Sequence, residues 1–332
     1  MSTAGLVVLV VVALGFDFTN GFHDAANAVA TTIATRALRP LTALGVAAVF
    51  NAVGALVSTK VAHTVGNGII TAPAGNAGLA VIFAALLGAI GWNVLTWRLG
   101  LPSSSTHALI GGLAGAAISS AGTVHWSVLV GKVVVPLLVS PVVGFVLAYL
   151  ATVLLLRAIR RLAPATIDRR FRLAQWASTA AMSYSHGTQD AQKTMGVITL
   201  ALLTTGHLRS FAVPVWVILA AAGAMGLGTL SGGWRIIRTV GSRITPLDSP
   251  RAFAAQSSAS AVLLFSAYAY ALPVSSTHVL TASVMGSGAT RRLTSVRWGV
   301  AREVVLAWVL TIPGAAATGW LAYLVVHAVV GI

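Results

Sequence analysis

The stretch Gly15-Phe16-Asp17-Phe18-Thr19-Asn20-Gly21-Phe22-His23-Asp24-Ala25-Ala26-Asn27-Ala28 decides how the rest of the chain is read. Asp17, Asn20, Asp24, Asn27 and then Thr31 follow one another at spacings of three and four, so a helix places all five on one face. Before this stripe, Leu6 to Leu14 is wholly apolar; after it, Ala28 to Ile33 is mostly so. A carboxylate at membrane depth costs about 2.5–3.5 kcal/mol on insertion scales. Two of them here need a use that offsets the cost. A soluble helix with one hydrated face does not account for such flanks, and the stripe reads as an ion or substrate site inside a membrane.

Composition carries the same reading to the whole chain. Of the 332 residues 57% are hydrophobic and 8% charged, against about 25% charged in a soluble domain. The expected class is an all-α integral membrane protein, multi-pass, in the plasma membrane. A net charge of +15 would suggest nucleic acid in a soluble protein. Here the arginines cluster in short loops between apolar segments, as the positive-inside rule expects, and nucleic acid is excluded as a partner. With no cysteine, disulfides and thiolate metal sites are excluded. The first apolar run, from Leu6, lacks a basic leader and reads as a retained span.

Apolar segments fall at about 4–35, 41–59, 77–97, 102–122, 127–156, 173–204, 211–231, 252–271, 273–289 and 299–330. The 32-residue stretches at each end, 4–35 and 299–330, exceed the ~20 residues of a span, as does 173–204, and Gly21 and Gly187 are expected to break the helices that contain them. The segment from Pro273 is short, which suggests a re-entrant or interrupted helix. Residues 157–172 hold six arginines and one aspartate. They read as a cytoplasmic linker between a first membrane repeat, 1–156, and a second, 173–332. The halves resemble each other. Pro102-Ser-Ser-Ser105-Thr106-His107-Ala-Leu109 returns as Pro273-Val-Ser275-Ser276-Thr277-His278-Val-Leu280, and Phe18-Thr-Asn20-Gly21-Phe-His23-Asp24-Ala25 as Tyr184-Ser-His186-Gly187-Thr-Gln189-Asp190-Ala191. Five segments per half predicts inverted halves. The arginines agree: with the linker inside, Arg36, Arg39, Arg98, Arg235, Arg238, Arg243, Arg291 and Arg292 fall inside too, while the loop 60–76 falls outside. Inverted repeats with interrupted helices are built around a site near the midplane.

Each proline can open a helix, and the Ser and Thr residues after it suit an N-cap. One such copy is only a well-capped helix. Two copies in inverted halves aim two helix N-termini at the centre, an anion site made of free N–H groups and the hydroxyls of Ser104, Ser105, Thr106, Ser275, Ser276 and Thr277. Opposite them stand Asp24 and Asp190, with Asn20, Asn27 and Gln189, as candidates to hold a cation. Lys193 occupies the place of Asn27 in the second half and either pairs with Asp190 or faces a bound anion. His23, His107, His186, His278 and Asp17 are supporting residues, and isolated histidines of this kind are more often hydrogen-bonded core residues than ligands. No cluster has structural-zinc spacing. Ser-Thr-His in a row is not a catalytic triad, so no enzyme is expected.

Gly21-Phe22-His23-Asp24-Ala25-Ala26-Asn27-Ala28, the later Asp190 motif and the duplicated Pro-x-Ser-Ser-Thr-His together resemble the PiT inorganic phosphate transporter family over essentially the whole chain. That family's signature is Gly-Ala-Asn-Asp-Val-Ala-Asn-Ala. Gly21, Asp24, Ala26, Asn27 and Ala28 match it, while His23 departs, as do Gln189 and Lys193 in the second copy. The resemblance implies two inverted halves that carry inorganic phosphate, free or as a divalent-metal complex, together with a cation, by alternating access and without a cofactor. A histidine before the aspartate resembles bacterial members, which are commonly coupled to H+; many others use Na+. A sulfate symporter and an anion channel are the alternatives, and a homodimer is left open.

Overall fold

The computed structural model describes residues 3–330, and they form twelve helices. In chain order these are α1 (Thr3–Ala34), α2 (Pro40–Val57), α3 (Lys60–Gly68), α4 (Asn76–Leu99), α5 (Ser105–Ser119) and α6 (Trp126–Ile159, with a π turn at Val130–Val134), followed by α7 (Pro164–Thr204), α8 (Val215–Ser231), α9 (Trp234–Arg243), α10 (Ser249–Tyr270), α11 (Ser276–Ala289) and α12 (Trp298–Val330). The one sheet among the described residues is a two-residue antiparallel ladder, β1 (Ile70–Thr71) on β2 (Thr123–Val124).

Six helices, α1, α2, α4, α6, α10 and α12, are long and apolar enough to cross a membrane; α8 and α9, bent by 60° at their join, together make a seventh. Helix α7, with 41 residues, is about 60 Å long, but its middle is too polar to read as a span by apolarity alone. Its buried residues from Ser183 to Thr194 are mostly hydrophilic. At 15 and 14 residues, α5 and α11 are about 22 Å long, less than a ~30 Å hydrocarbon core, and each follows an extended run from its proline. Prolines open α2, α7 and α10, where a missing N–H costs nothing.

The elements lie close to where the sequence places them, with four differences. Residues 60–76, expected as a loop, contain α3, and the basic stretch after α8 contains α9. Residues 164–172 of the arginine-rich stretch form the first turns of α7. Gly21 and Gly187 do not break their helices, since α1 and α7 run through them. Both glycines instead let two backbones touch. A Cβ on Gly21 would lie 2.5 Å from the carbonyl oxygen of Met225, and one on Gly187 would overlap that of Asn51. Small residues at helix crossings allow such approaches inside a membrane.

Packing exchanges elements between the two halves. Helix α1 lies against α8, and its counterpart α7 lies against α2; α5 packs on α12 as α11 packs on α6. Helices α1 and α7 cross in opposite directions, since Asp24, Thr32 and Thr35 of α1 meet His186, Thr179 and Gln175 of α7 in that order. Large apolar side chains such as Leu138, Val142, Phe265, Leu306 and Val309 point outward, whereas the centre gathers Asp17, Asn20, Asp24, His186, Asp190 and Lys193, none more than 2% exposed. That is the reverse of a soluble protein, and it fixes where the site must be.

Candidate functional site

Two short helices begin at the centre of the bundle. Ser104 caps α5 by accepting the N–H of His107 at 3.2 Å, and Ser275 caps α11 by accepting that of His278 at 3.2 Å. The first-turn N–H groups beyond these caps have no partner inside their helices. Their neighbours are the two aspartates. Ser105 Oγ donates to Asp24 Oδ2 (3.0 Å) and also meets Asn20 Oδ1. Ser276 Oγ donates to Asp190 Oδ2 (2.8 Å) and Thr277 Oγ1 to Asp24 Oδ1 (3.3 Å). Asn27 spans the halves, its amide donating to Thr277 Oγ1 (2.9 Å) and Ser276 Oγ (3.3 Å). Each helix start therefore faces a carboxylate of α1 or α7.

Each aspartate also holds a histidine. His23 Nδ1 lies 2.6 Å from Asp24 Oδ1, and His186 Nε2 lies 2.8 Å from Asp190 Oδ2 and 3.7 Å from Asp24 Oδ2. The surrounding hydrogen bonds orient both rings. Asn51 Nδ2 donates to Thr229 Oγ1 (2.8 Å), which itself donates to the carbonyl of Met225, so Asn51 presents its oxygen to His186 Nδ1 at 3.1 Å. His186 Nδ1 therefore donates there, and its Nε2 faces Asp190 without a hydrogen bond of ordinary geometry. Around His23, Thr96 donates to the carbonyl of Trp92 (2.9 Å) and Ser103 donates to Thr96 (2.8 Å), while His23 Nε2 lies 3.2 Å from Thr96 Oγ1 and 3.4 Å from Ser103 Oγ.

Lys193, fully buried, pairs with Asp190 on its own helix. Asp17 lies beside Thr194 and Asn20, in the field of Lys193, with no hydrogen bond of ordinary geometry on either oxygen. Gln189 turns its amide to the carbonyl of Leu263 in α10 (3.0 Å) and leaves its oxygen unpaired. The ring nitrogens of His107 and His278 also lack partners among the described residues. The two rings lie 5.1 Å apart, and His278 stacks on Trp308 at 4.1 Å. These two are therefore not the hydrogen-bonded core histidines that their type suggests. Glu303 is exposed on α12, away from the cluster. Asp24, His186 and Asp190 each offer an atom within 4.8 Å of the others, a set that can hold a metal ion.

Sequence reasoning overlooks Asn51, Thr229, Thr96 and Ser103, which orient the two histidines. Asn51 and Thr96 carry a signal, each being a polar residue within an otherwise apolar span. Ser103 lies within the duplicated proline motif, and Thr229 carries no signal until the fold brings it to Asn51.

Residues 20–319 match the model of the phosphate transporter family. A probable low-affinity inorganic phosphate transporter of Rhizobium meliloti is 47% identical over 322 residues, covering 96% of this chain and 95% of its own. One of Bacillus subtilis is 43% identical over 324 residues, with 97% of each chain covered. Among solved structures, the sodium-dependent phosphate transporter superposes with a TM-score of 0.85 over 97% of this chain and 99% of its own, at 23% identity, which speaks for the fold. With its two capped helix starts, its paired aspartates and a family match over most of its length, the chain belongs to the phosphate transporter family.

Proposed function

We propose that the protein is a symporter of inorganic phosphate and protons, working by alternating access between two inverted halves. Phosphate is held between the α5 and α11 starts, by Ser104, Ser105 and Thr106 from one side and Ser275, Ser276 and Thr277 from the other, with Asn27 bridging them. Asp24 and Asp190 carry the driving charge, tuned by Asn20, His23, His186 and Lys193. The observation that carries the reading is the pair of His–Asp contacts beside the two helix starts, where a proton can be taken up next to the anion site. A carboxylate repels phosphate until its charge is neutralised, so anion and proton enter together. Imidazole is a poor ligand for a hard cation such as Na+, which takes oxygen donors. The opposed run of α1 and α7 and the exchange of α8 and α2 support an inverted pair that rocks about a central site. The arginine-bearing end, with Arg36, Arg98, Arg235 and residues 157–172, then lies in the cytoplasm.

A second reading has phosphate enter as a complex with a divalent metal ion. The two carboxylate oxygens and one imidazole nitrogen of Asp24, Asp190 and His186 favour it, being a donor set suited to such ions. Uptake of labelled phosphate into proteoliposomes tests both. An inward proton gradient should drive accumulation above the external concentration, and a sodium gradient at constant pH should not. Accumulation driven by sodium alone overturns proton coupling. A strict requirement for co-transported metal, at one ion per phosphate, replaces the first reading by the second.

A further inference from the structure

A second concavity lies apart from the central site, at the end of the bundle where α4 finishes and α9 runs across it. It has a volume of about 440 Å³, within the ~300–1,000 Å³ of small-ligand pockets. Arg98, Arg235, Arg238 and Arg243 line it, with Gly100 and Trp234. The positive-inside bias accounts for arginines at this end, but not for four around one hollow. Among the described residues, no carboxylate pairs with any of the four. The acidic partners at this end are committed elsewhere, Asp168 to Arg172 and Asp248 to Arg251 and Arg291.

The wall is also held in shape. Arg235 Nη1 donates to the carbonyl of Arg98 at 2.6 Å, and its guanidinium lies 5.6 Å from the Trp97 ring centroid. Thr239 donates to the carbonyl of Gly100 at 2.8 Å. Gly100 closes α4 in the left-handed conformation, φ 70°, which a side chain would resist, and so turns the chain under α9. Like charges fixed this close repel one another unless an anion joins them. Trp234, about half exposed, stands at the rim, as aromatic residues do at a membrane boundary.

We propose that this cavity binds a phosphate-bearing anion, either the headgroup of an anionic lipid or free inorganic phosphate. Both present tetrahedral phosphate oxygens, which guanidinium groups bind through paired N–H donors. Basic pockets between membrane helices hold lipid headgroups by the same chemistry. The assignment does not depend on what the central site carries.

The test uses the purified full-length chain, stripped of lipid in a neutral detergent. Arg98→Gln with Arg238→Gln removes two of the four charges and leaves Arg235, which ties the wall together. Arg160→Gln with Arg161→Gln removes two charges from the same end but outside the cavity. In one arm, native mass spectrometry follows retention of phosphatidylglycerol against phosphatidylcholine. In the other, equilibrium binding of labelled phosphate in phosphatidylcholine nanodiscs counts phosphates per chain. A lipid source gives a phosphatidylglycerol adduct that the cavity variant holds about 10–30-fold more weakly and the control holds normally. A free-phosphate source gives a second phosphate per chain, lost in the cavity variant while the central one stays. Equal binding by wild type and cavity variant in both arms overturns the proposal, as does an equal loss in the control.

Discussion

Asp190→Asn tests whether the Asp190–Lys193 contact is structural, functional or both. Lys193 is fully buried and its direct ion-pair partner is Asp190; Asp24 and Asp17 act on it only at longer range. Removing one partner of a buried pair costs about 3–5 kcal/mol, because the other charge stays behind. At roughly 2–4 °C per kcal/mol, the variant should melt about 6–20 °C below wild type. Lys193→Gln should cost less, about 1–3 kcal/mol, since Asp190 keeps His186 and Ser276, each at 2.8 Å. The double variant removes both charges and should recover most of the loss. Melting by scanning fluorimetry in detergent gives the cycle, and proteoliposome uptake gives its meaning. If Asp190 carries driving charge, the double variant folds but does not accumulate phosphate. Recovery of both folding and accumulation reduces the pair to a structural one. Melting of Asp190→Asn at the wild-type temperature refutes the assignment of Asp190 as the counter-charge of Lys193.

Three further outcomes follow from the geometry. Asp24→Asn should leave the protein folded and able to bind phosphate, since a nearby negative charge has gone, but unable to concentrate it; full accumulation in proteoliposomes would contradict the role given to Asp24. Thr277→Val deletes the hydroxyl that accepts from Asn27 and donates to Asp24, and should weaken phosphate binding by about 1–3 kcal/mol in equilibrium titration, with Thr106→Val the matching probe of the other helix start. Gly187→Ala should lower the melting temperature sharply, because its Cβ meets the backbone of Asn51, whereas Gly15→Ala, with nothing within 4 Å, should not.

Much of this architecture can be read in the sequence because a bilayer imposes simple rules. Apolar runs mark the long helices to within a few residues, except the start of α7 at Pro164, and the duplicated Pro-x-Ser-Ser-Thr-His marks the two short ones that start inside. The polar stripe of α1 identifies the central residues, since any hydrophilic group at that depth needs a purpose. Other features are hidden for physical reasons. Helix α3 has 9 residues and α9 has 10, too few to show a span, and both carry basic residues that read as loop. Glycine marks a break or a close approach with the same letter, and only the neighbouring carbonyls of Met225 and Asn51 decide for Gly21 and Gly187. The pairing of His107 with His278 joins residues 171 positions apart, which no local pattern reveals.

The exchange of α8 and α2 between the halves bears on how the chain is made. Helix α1 emerges first with its buried acids, yet Thr277, which donates to Asp24, is about 250 residues away. At about 5–20 residues per second of synthesis, α1 waits on the order of 10–50 seconds in the bilayer before its hydrophilic face is covered. The first half, taken alone, has no α8 for α1 and no α7 for α2. A chain arrested near residue 156 therefore leaves Asp17 without Thr194 and Asp24 without Thr277 and His186, on a helix face that lipid can reach. Assembly is thus delayed until the last third of the polypeptide has arrived, and two separately produced halves should be stable only in each other's company.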